Sequence, residues 1–219
     1  MKSYVKAAII SLILLSIVTA SSAAMNPVFS VRNRNDTGVI KIPLSEPQRF
    51  TLGLGAGWNL ISIPLVPPNG SMAAVFGSIS GSYDAIEYYN STDAHDHWKS
   101  FFPGRTGTVN ALKKVDVTMG LWLRLSKNAT LVTNGSIPSS TKIILSPGWN
   151  LIGYPSIKNR TVNELFYGVP AYVKYTIHCF DRDEPYCLRE MGRTGEVLRM
   201  GLGYWVYISQ SWQLTVGWT

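Results

Sequence analysis

The sequence predicts a mainly β fold, sandwich- or barrel-like, made of two tandem pseudo-symmetric repeats with one short α-helix each. Three observations predict it. "GWNLISIP" at 57–64 returns as "GWNLIGYP" at 148–155, and self-similarity at a fixed interval marks a duplicated supersecondary unit. "MGLWLRL" at 119–125 likewise returns as "LGYWVYI" at 202–208. Between each pair, a hydroxyl residue (Ser71, then Thr161) precedes a short apolar run, where a helix N-cap belongs.

Taken in order, residues 1–24 read as a signal peptide. Lys2 and Lys6 form a positive start, "AAIISLILLSIVTA" an apolar core, and "SSAAM" supplies small residues for cleavage after Ala24 or Ala23. The apolar run is shorter than the ~20 residues of a bilayer span. No later segment is long enough to span, so the expected location is extracellular, at the cell surface or secreted. Residues 25–50 form an extension outside both repeats. Its "GVIKIPL" at 38–44 reads as an extra strand, folded onto its own chain or donated to a neighbouring subunit.

Repeat 1 covers 51–137 and repeat 2 covers 138–219, joined by the Pro/Gly/Ser stretch "GSIPSST" at 135–141. Each reads as strand, short helix, hairpin, turn, strand, strand. In the octapeptide, Trp58, Leu60 and Ser62 share one strand face, with Asn59, Ile61 and Ile63 on the other. Both faces are largely apolar, which predicts cover on both sides. Gly57 and Gly148 supply the preceding turn, and Pro64 and Pro155 end the ladder. Ser62 and Gly153 share a position, which predicts close packing there. Asn59 and Asn150 are lone polar groups on their faces, so each must tie down nearby backbone. Thr161 with Glu164 makes a capping box, and Phe76 matches Phe166. Aromatic strands "YDAIEYYN" and "AYVKYTIH" are matched next, then returning strands "HWKSFF" and "PYCLRE". Leu121, Leu123 and Leu125 share a face, as do Tyr204, Val206 and Ile208, and "ATLVTNG" and "WQLTVGW" close the repeats. The recurring Trp58, Trp122, Trp149 and Trp205 are expected in the core. On this reading the octapeptide is scaffolding.

"PGWNLIGYP" followed by "GLGYWVYI" resembles the GWN…GYW repeat of archaeal and bacterial cell-surface and secreted proteins. The match covers nearly all of 51–219 and is sharper in the second repeat, since the first has "GLW" for "GYW". The resemblance implies an extracellular β module without recognised catalytic residues; it does not imply a ligand.

Further signals concern modification and chemistry. Asn-X-Ser/Thr occurs at Asn35, Asn69, Asn90, Asn128, Asn134 and Asn159, against about two expected by chance. That excess suits an exported glycoprotein, with Asn69 and Asn159 at equivalent positions ahead of the two helices. Cys179 and Cys187, in "CFDRDEPYC", are too far apart for the usual metal or redox spacing and suit a disulfide across a hairpin. In "DAHDHW", Asp93, His95 and His97 could hold a transition metal if their faces align, although polar residues also collect in loops. "DRDE" at 181–184 reads as a solvated hairpin tip. No Gly-x-Ser-x-Gly elbow is present and acidic residues are few, so an enzyme is not expected and no cofactor is implied. Positive charge is scattered (Lys and Arg 20, Asp and Glu 13), which excludes a nucleic-acid stripe. Trp98, Trp212 and Trp218 have no repeat partner and are candidates for an exposed ligand platform or interface. The sequence therefore points to a non-catalytic structural or adhesive protein of a cell envelope, filament or virion surface. It would bind itself or other envelope proteins. A monomeric carbohydrate-binding module with polysaccharide as partner is the alternative, and a metal-dependent enzyme a remote one.

Overall fold

Gly57 and Gly148 adopt positive φ (86° and 98°), a conformation Cβ-bearing residues avoid, and each turns the chain into an octapeptide strand. The computed structural model describes residues 47–219. The leader at 1–24, Asn35 and the stretch at 38–44 lie outside the described residues.

The elements are β1 (Gln48–Leu54), β2 (Gly57–Ser62), α1 (Met72–Val75), β3 (Tyr83–Tyr89), β4 (Trp98–Phe101), β5 (Gly120–Leu125) and β6 (Ala129–Gly135). There follow β7 (Ser140–Leu145), β8 (Gly148–Gly153), β9 (Arg160–Thr161), α2 (Val162–Leu165), β10 (Tyr175–Phe180), β11 (Leu188–Glu190), β12 (Val197–Leu198), β13 (Gly203–Ile208) and β14 (Trp212–Gly217). The fold is mainly β, in several antiparallel sheets with two short helices. One four-stranded sheet runs β2-β5-β3-β4 and the other β8-β13-β10-β11, while β1 pairs with β6 and β7 with β14 as two-stranded ribbons.

Each half has its own apolar core. Ile61 and Ile63 of β2 and Leu121, Leu123 and Leu125 of β5 pack against Leu54 and Leu131 of the first ribbon and against Met72, Val75 and Phe76. Ile152, Tyr204, Val206 and Ile208 do the same with Ile143, Leu145, Leu214, Val216 and Phe166. A ribbon thus covers one face of each sheet, a two-layer arrangement that buries an alternating strand pattern. The strand faces follow the period-2 reading of the octapeptide. The lead strands β1 and β7 do not, since neither was expected, and β1 starts at Gln48, before the predicted boundary at 51. The register also corrects the hairpin match: Tyr83 stands opposite Leu125 and Tyr175 opposite Ile208. Tyr83 therefore corresponds to Tyr175 rather than to Ala171, and each packs against the phenylalanine at its helix end.

The buried amides account for the turns. Asn59 Nδ2 donates to the carbonyls of Gly55 (2.8 Å) and Gly57 (3.0 Å). Asn150 accepts from the Ser146 N–H (2.9 Å) and donates to the Ser146 and Gly148 carbonyls (2.8 and 3.1 Å). Thr161 and Glu164 form the capping box on α2. Ser71 caps α1 without a side-chain bond; Ala74 stands where a reciprocating carboxylate would be.

The second face of each sheet meets the other half, and both halves lie in one compact unit. At the centre of the joint the Ser62 N–H donates to the Gly201 carbonyl (2.9 Å) and the Gly153 N–H to the Thr118 carbonyl (2.8 Å). Bridges Ile61–Leu202 and Met119–Ile152 flank these bonds. A Cβ on Gly120 would lie 2.5 Å from the Ile152 oxygen, and one on Gly203 2.7 Å from the Ile61 oxygen. Only glycine permits this approach. Ser62 fits because its hydroxyl donates to the Leu202 carbonyl (2.9 Å).

Candidate functional site

Of the indoles expected in the core, all on this second face, Trp205 is buried there with Leu60 and Leu151 and Trp122 packs against them, whereas Trp58 is half-buried and Trp149 exposed. One pair recurs in each half: Trp58 with Trp122 (6.1 Å, 86°) and Trp149 with Trp205 (6.2 Å, 87°). Trp122 meets Phe180 of the opposite half and Trp205 meets Tyr89 of the opposite half. The octapeptide's indoles are therefore joint and surface residues. Period-2 alternation separates two faces but cannot say which neighbour covers each.

At the rim of this joint the halves differ. In the first, Arg124 stands opposite Trp58 in the ladder, lies over its ring at 5.5 Å and donates through Nε to Asp84 (2.6 Å). The guanidinium covers the indole face, and the Asp84 hydrogen bond holds the Arg124 pKa above its ordinary value. In the second half Tyr207 stands opposite Trp149, edge-on to it at 5.5 Å. Trp149 is left 40% exposed and Tyr207 37%. Trp98, 44% exposed, extends the surface by contacting Trp205 and Tyr89. His178 packs edge-on to Trp149 (5.1 Å) and His97 stacks on Tyr89 (4.7 Å). The result is a continuous aromatic band along one side of the joint, open at Trp98, Trp149 and Tyr207.

Its rim is polar. Lys99, next to Trp98, is held between Asp93 (2.7 Å) and Asp96 (3.0 Å). Those hydrogen bonds raise the Lys99 pKa and, with the Asp96 and His95 N–H groups, bring the Asp93 carboxyl down to about 2. At the far end Thr176 donates to Glu190 (2.6 Å), and Glu190 stands opposite His178 in the ladder.

The remaining candidates separate. Asp93, His95 and His97 do not converge. Asp93 is occupied by Lys99 and two turn N–H groups, His95 is exposed, and the His97 ring faces Tyr89 with Nδ1 on the Asn90 carbonyl (2.9 Å). Among the described residues no group of three His, Cys, Asp or Glu could hold a metal ion. Trp212 packs against the C-terminal core, and Trp218 is half-buried, its carbonyl accepting from Ser156 Oγ (2.8 Å). Of the unmatched tryptophans only Trp98 reaches the band. Cys179 and Cys187 are free thiols: the hairpin register sets Cys179 opposite Arg189, while the Cys187 carbonyl accepts from the Asp181 N–H (3.0 Å). The cysteines are thus staggered, not opposed. Burial raises the Cys179 pKa. Nor is "DRDE" only a solvated tip, because Arg182 crosses to the first half and donates to the Ala56 (2.9 Å) and Trp58 (3.3 Å) carbonyls. Asn69, Asn128, Asn134 and Asn159 are exposed and Asn90 is half-buried. No helix among the described residues is long and apolar enough to cross a membrane.

No family model, curated protein or solved structure matches the chain.

Proposed function

We propose that the chain is an exported, N-glycosylated, non-catalytic structural or adhesive protein of a cell envelope, filament or virion surface. Its body would be two tandem pseudo-symmetric copies of one β-sandwich-like repeat, of the GWN…GYW kind, and the aromatic band would be its contact surface. The observation that carries this reading is the difference between the two rims. Equivalent strand positions hold an indole covered by Arg124 in one half and an open indole in the other, and open clusters of large rings mark interaction sites. The matched strand orders and mirrored contacts at the joint support the duplicated body. The basic leader, the sequon excess and four exposed described sequons support export and glycosylation. Self-association, another envelope protein or an envelope polysaccharide remains the partner class.

The test is fractionation of the producing cells, followed by incubation of the purified, labelled mature chain with isolated envelopes. A processed, glycosylated chain in the envelope or medium, which rebinds envelopes saturably, is expected. A chain that keeps Met1, stays in the cytosol and binds no envelope refutes the proposal.

A further inference from the structure

We infer that the band between Trp98 and Tyr207 binds a neutral oligosaccharide, stacking pyranose rings on Trp98 and Trp149; this rests on the adhesive reading above and names its ligand. Three observations converge. The rings are open where the equivalent site is closed: Tyr207 occupies the place of Arg124 and Thr176 lies opposite it, so among the described residues no guanidinium lies over Trp149 as one lies over Trp58, and Trp149, in edge contact with His178, Trp205 and Tyr207, is left 40% exposed. An exposed indole offers a flat, electron-rich face, which suits the weakly positive C–H face of a sugar.

The second observation is charge. The cation beside Trp98, Lys99, is engaged by two carboxylates. The groups at the other end are the Glu190 carboxylate, oriented by Thr176, and the imidazole of His178. Such a rim accepts hydrogen bonds from hydroxyls, and its three carboxylates, Asp93, Asp96 and Glu190, outnumber the lysines beside it, Lys99 and the exposed Lys174 two residues before Thr176; complementarity of charge sets specificity. An anionic polymer or an acidic lipid surface is therefore disfavoured.

The third is extent. Trp98 and Trp149 each contact Trp205, at 5.9 and 6.2 Å, and no ring contact joins them directly. The two open indoles are thus separated by a third ring, which suits successive units of a chain better than a single sugar. Apolar area with a few placed polar groups is the usual make-up of a small-ligand site.

The test is affinity electrophoresis of the full chain through native gels containing a (1→4)-β-glucan, a (1→3)-β-glucan or a (1→4)-β-mannan. A polygalacturonate gel and flotation with phosphatidylcholine vesicles run in parallel. Variants are Trp149→Ala, Trp58→Ala, and the pair Thr176→Asp with Tyr207→Arg, which closes the open rim by setting a guanidinium opposite Trp149, as Arg124 stands opposite Trp58, with a carboxylate opposite that guanidinium to hold it. At least one neutral polymer should retard the wild type. Trp149→Ala and the closing pair should each weaken that retardation by at least about tenfold, with Trp58→Ala unchanged. Near-wild-type thermal unfolding of the closing pair separates loss of binding from loss of fold. No retardation by any neutral polymer overturns the inference, as does retardation that the closing pair leaves intact or that only polygalacturonate produces. Vesicle flotation lost in the same variants would assign the band to a lipid surface, and a concentration-dependent dimer dissolved by them to a second copy; either result overturns it. Envelope binding without retardation removes the sugar but leaves adhesion standing, whereas loss of both removes both.

Discussion

Replacing Gly120 with alanine tests the joint between the halves. The new Cβ would lie 2.5 Å from the Ile152 oxygen, 3.0 Å from its carbonyl carbon and 3.1 Å from its nitrogen. These are backbone atoms, so no rotamer relieves them. Ordinary contact begins at 3.4 Å, so β8 would have to move by about 0.9 Å against β5. That shift strains the Gly153–Thr118 hydrogen bond of 2.8 Å and the Met119–Ile152 bridge. Overpacking costs about 1–3 kcal/mol and a lost internal hydrogen bond about 1 kcal/mol, giving roughly 2–4 kcal/mol in total. For a domain of this size the midpoint should fall by about 5–15 °C. Thermal unfolding measures that fall, and urea unfolding followed by tryptophan fluorescence, with the slope checked for two-state behaviour, measures the free-energy loss. Gly53→Ala is the control, because its Cβ meets nothing within 4 Å. A Gly120→Ala midpoint within error of Gly53→Ala would refute the close crossing of the halves.

Asn150→Leu should cost about 1–3 kcal/mol by urea unfolding, because it strands the half-buried Ser146 and Gly148 backbone groups; a neutral result would mean that the amide is not the tie. Thr161→Val should cost about 1 kcal/mol by removing the cap on α2, read by the same titration. Asp93 gives a sign for acid: its folded pKa is depressed to about 2 from 3.8. Its contribution is therefore fully present above 3.8 and is lost as the pH falls through 2. Asp93→Asn should flatten the stability profile in that window and leave it unchanged near neutrality in shape. Alkylation of the unreduced protein followed by intact-mass measurement should add two adducts, at Cys179 and Cys187; none would show the two thiols joined.

Much of the local structure was legible in the sequence. Period-2 alternation assigned Ile61 and Ile63 to one face and Trp58 and Leu60 to the other, and the lone amides and the capping box announced their bonds. What the sequence could not reveal was long-range. Both faces of the octapeptide are apolar, so nothing local said that the Ile face meets a ribbon and the Trp face meets the other half. Cysteine spacing showed that a hairpin brings Cys179 and Cys187 near each other, but pairing depends on register, which the turn at Tyr186 and Cys187 sets with two positive-φ residues. The closed and open rims rest on Arg124 and Tyr207, which look like ordinary alternating strand residues until the cross-strand partners are known. Aligned by register, that Arg-to-Tyr exchange opposite the repeated tryptophan was the signal available.

The most direct measurement is the binding isotherm of the labelled chain on isolated envelopes of the producing cells, with the wild type beside the Thr176→Asp, Tyr207→Arg pair. If the open band is the contact surface, closing it should raise the half-saturating concentration by at least about tenfold while thermal unfolding stays near wild type. Superimposable isotherms would contradict the assignment and place the contact elsewhere on the molecule.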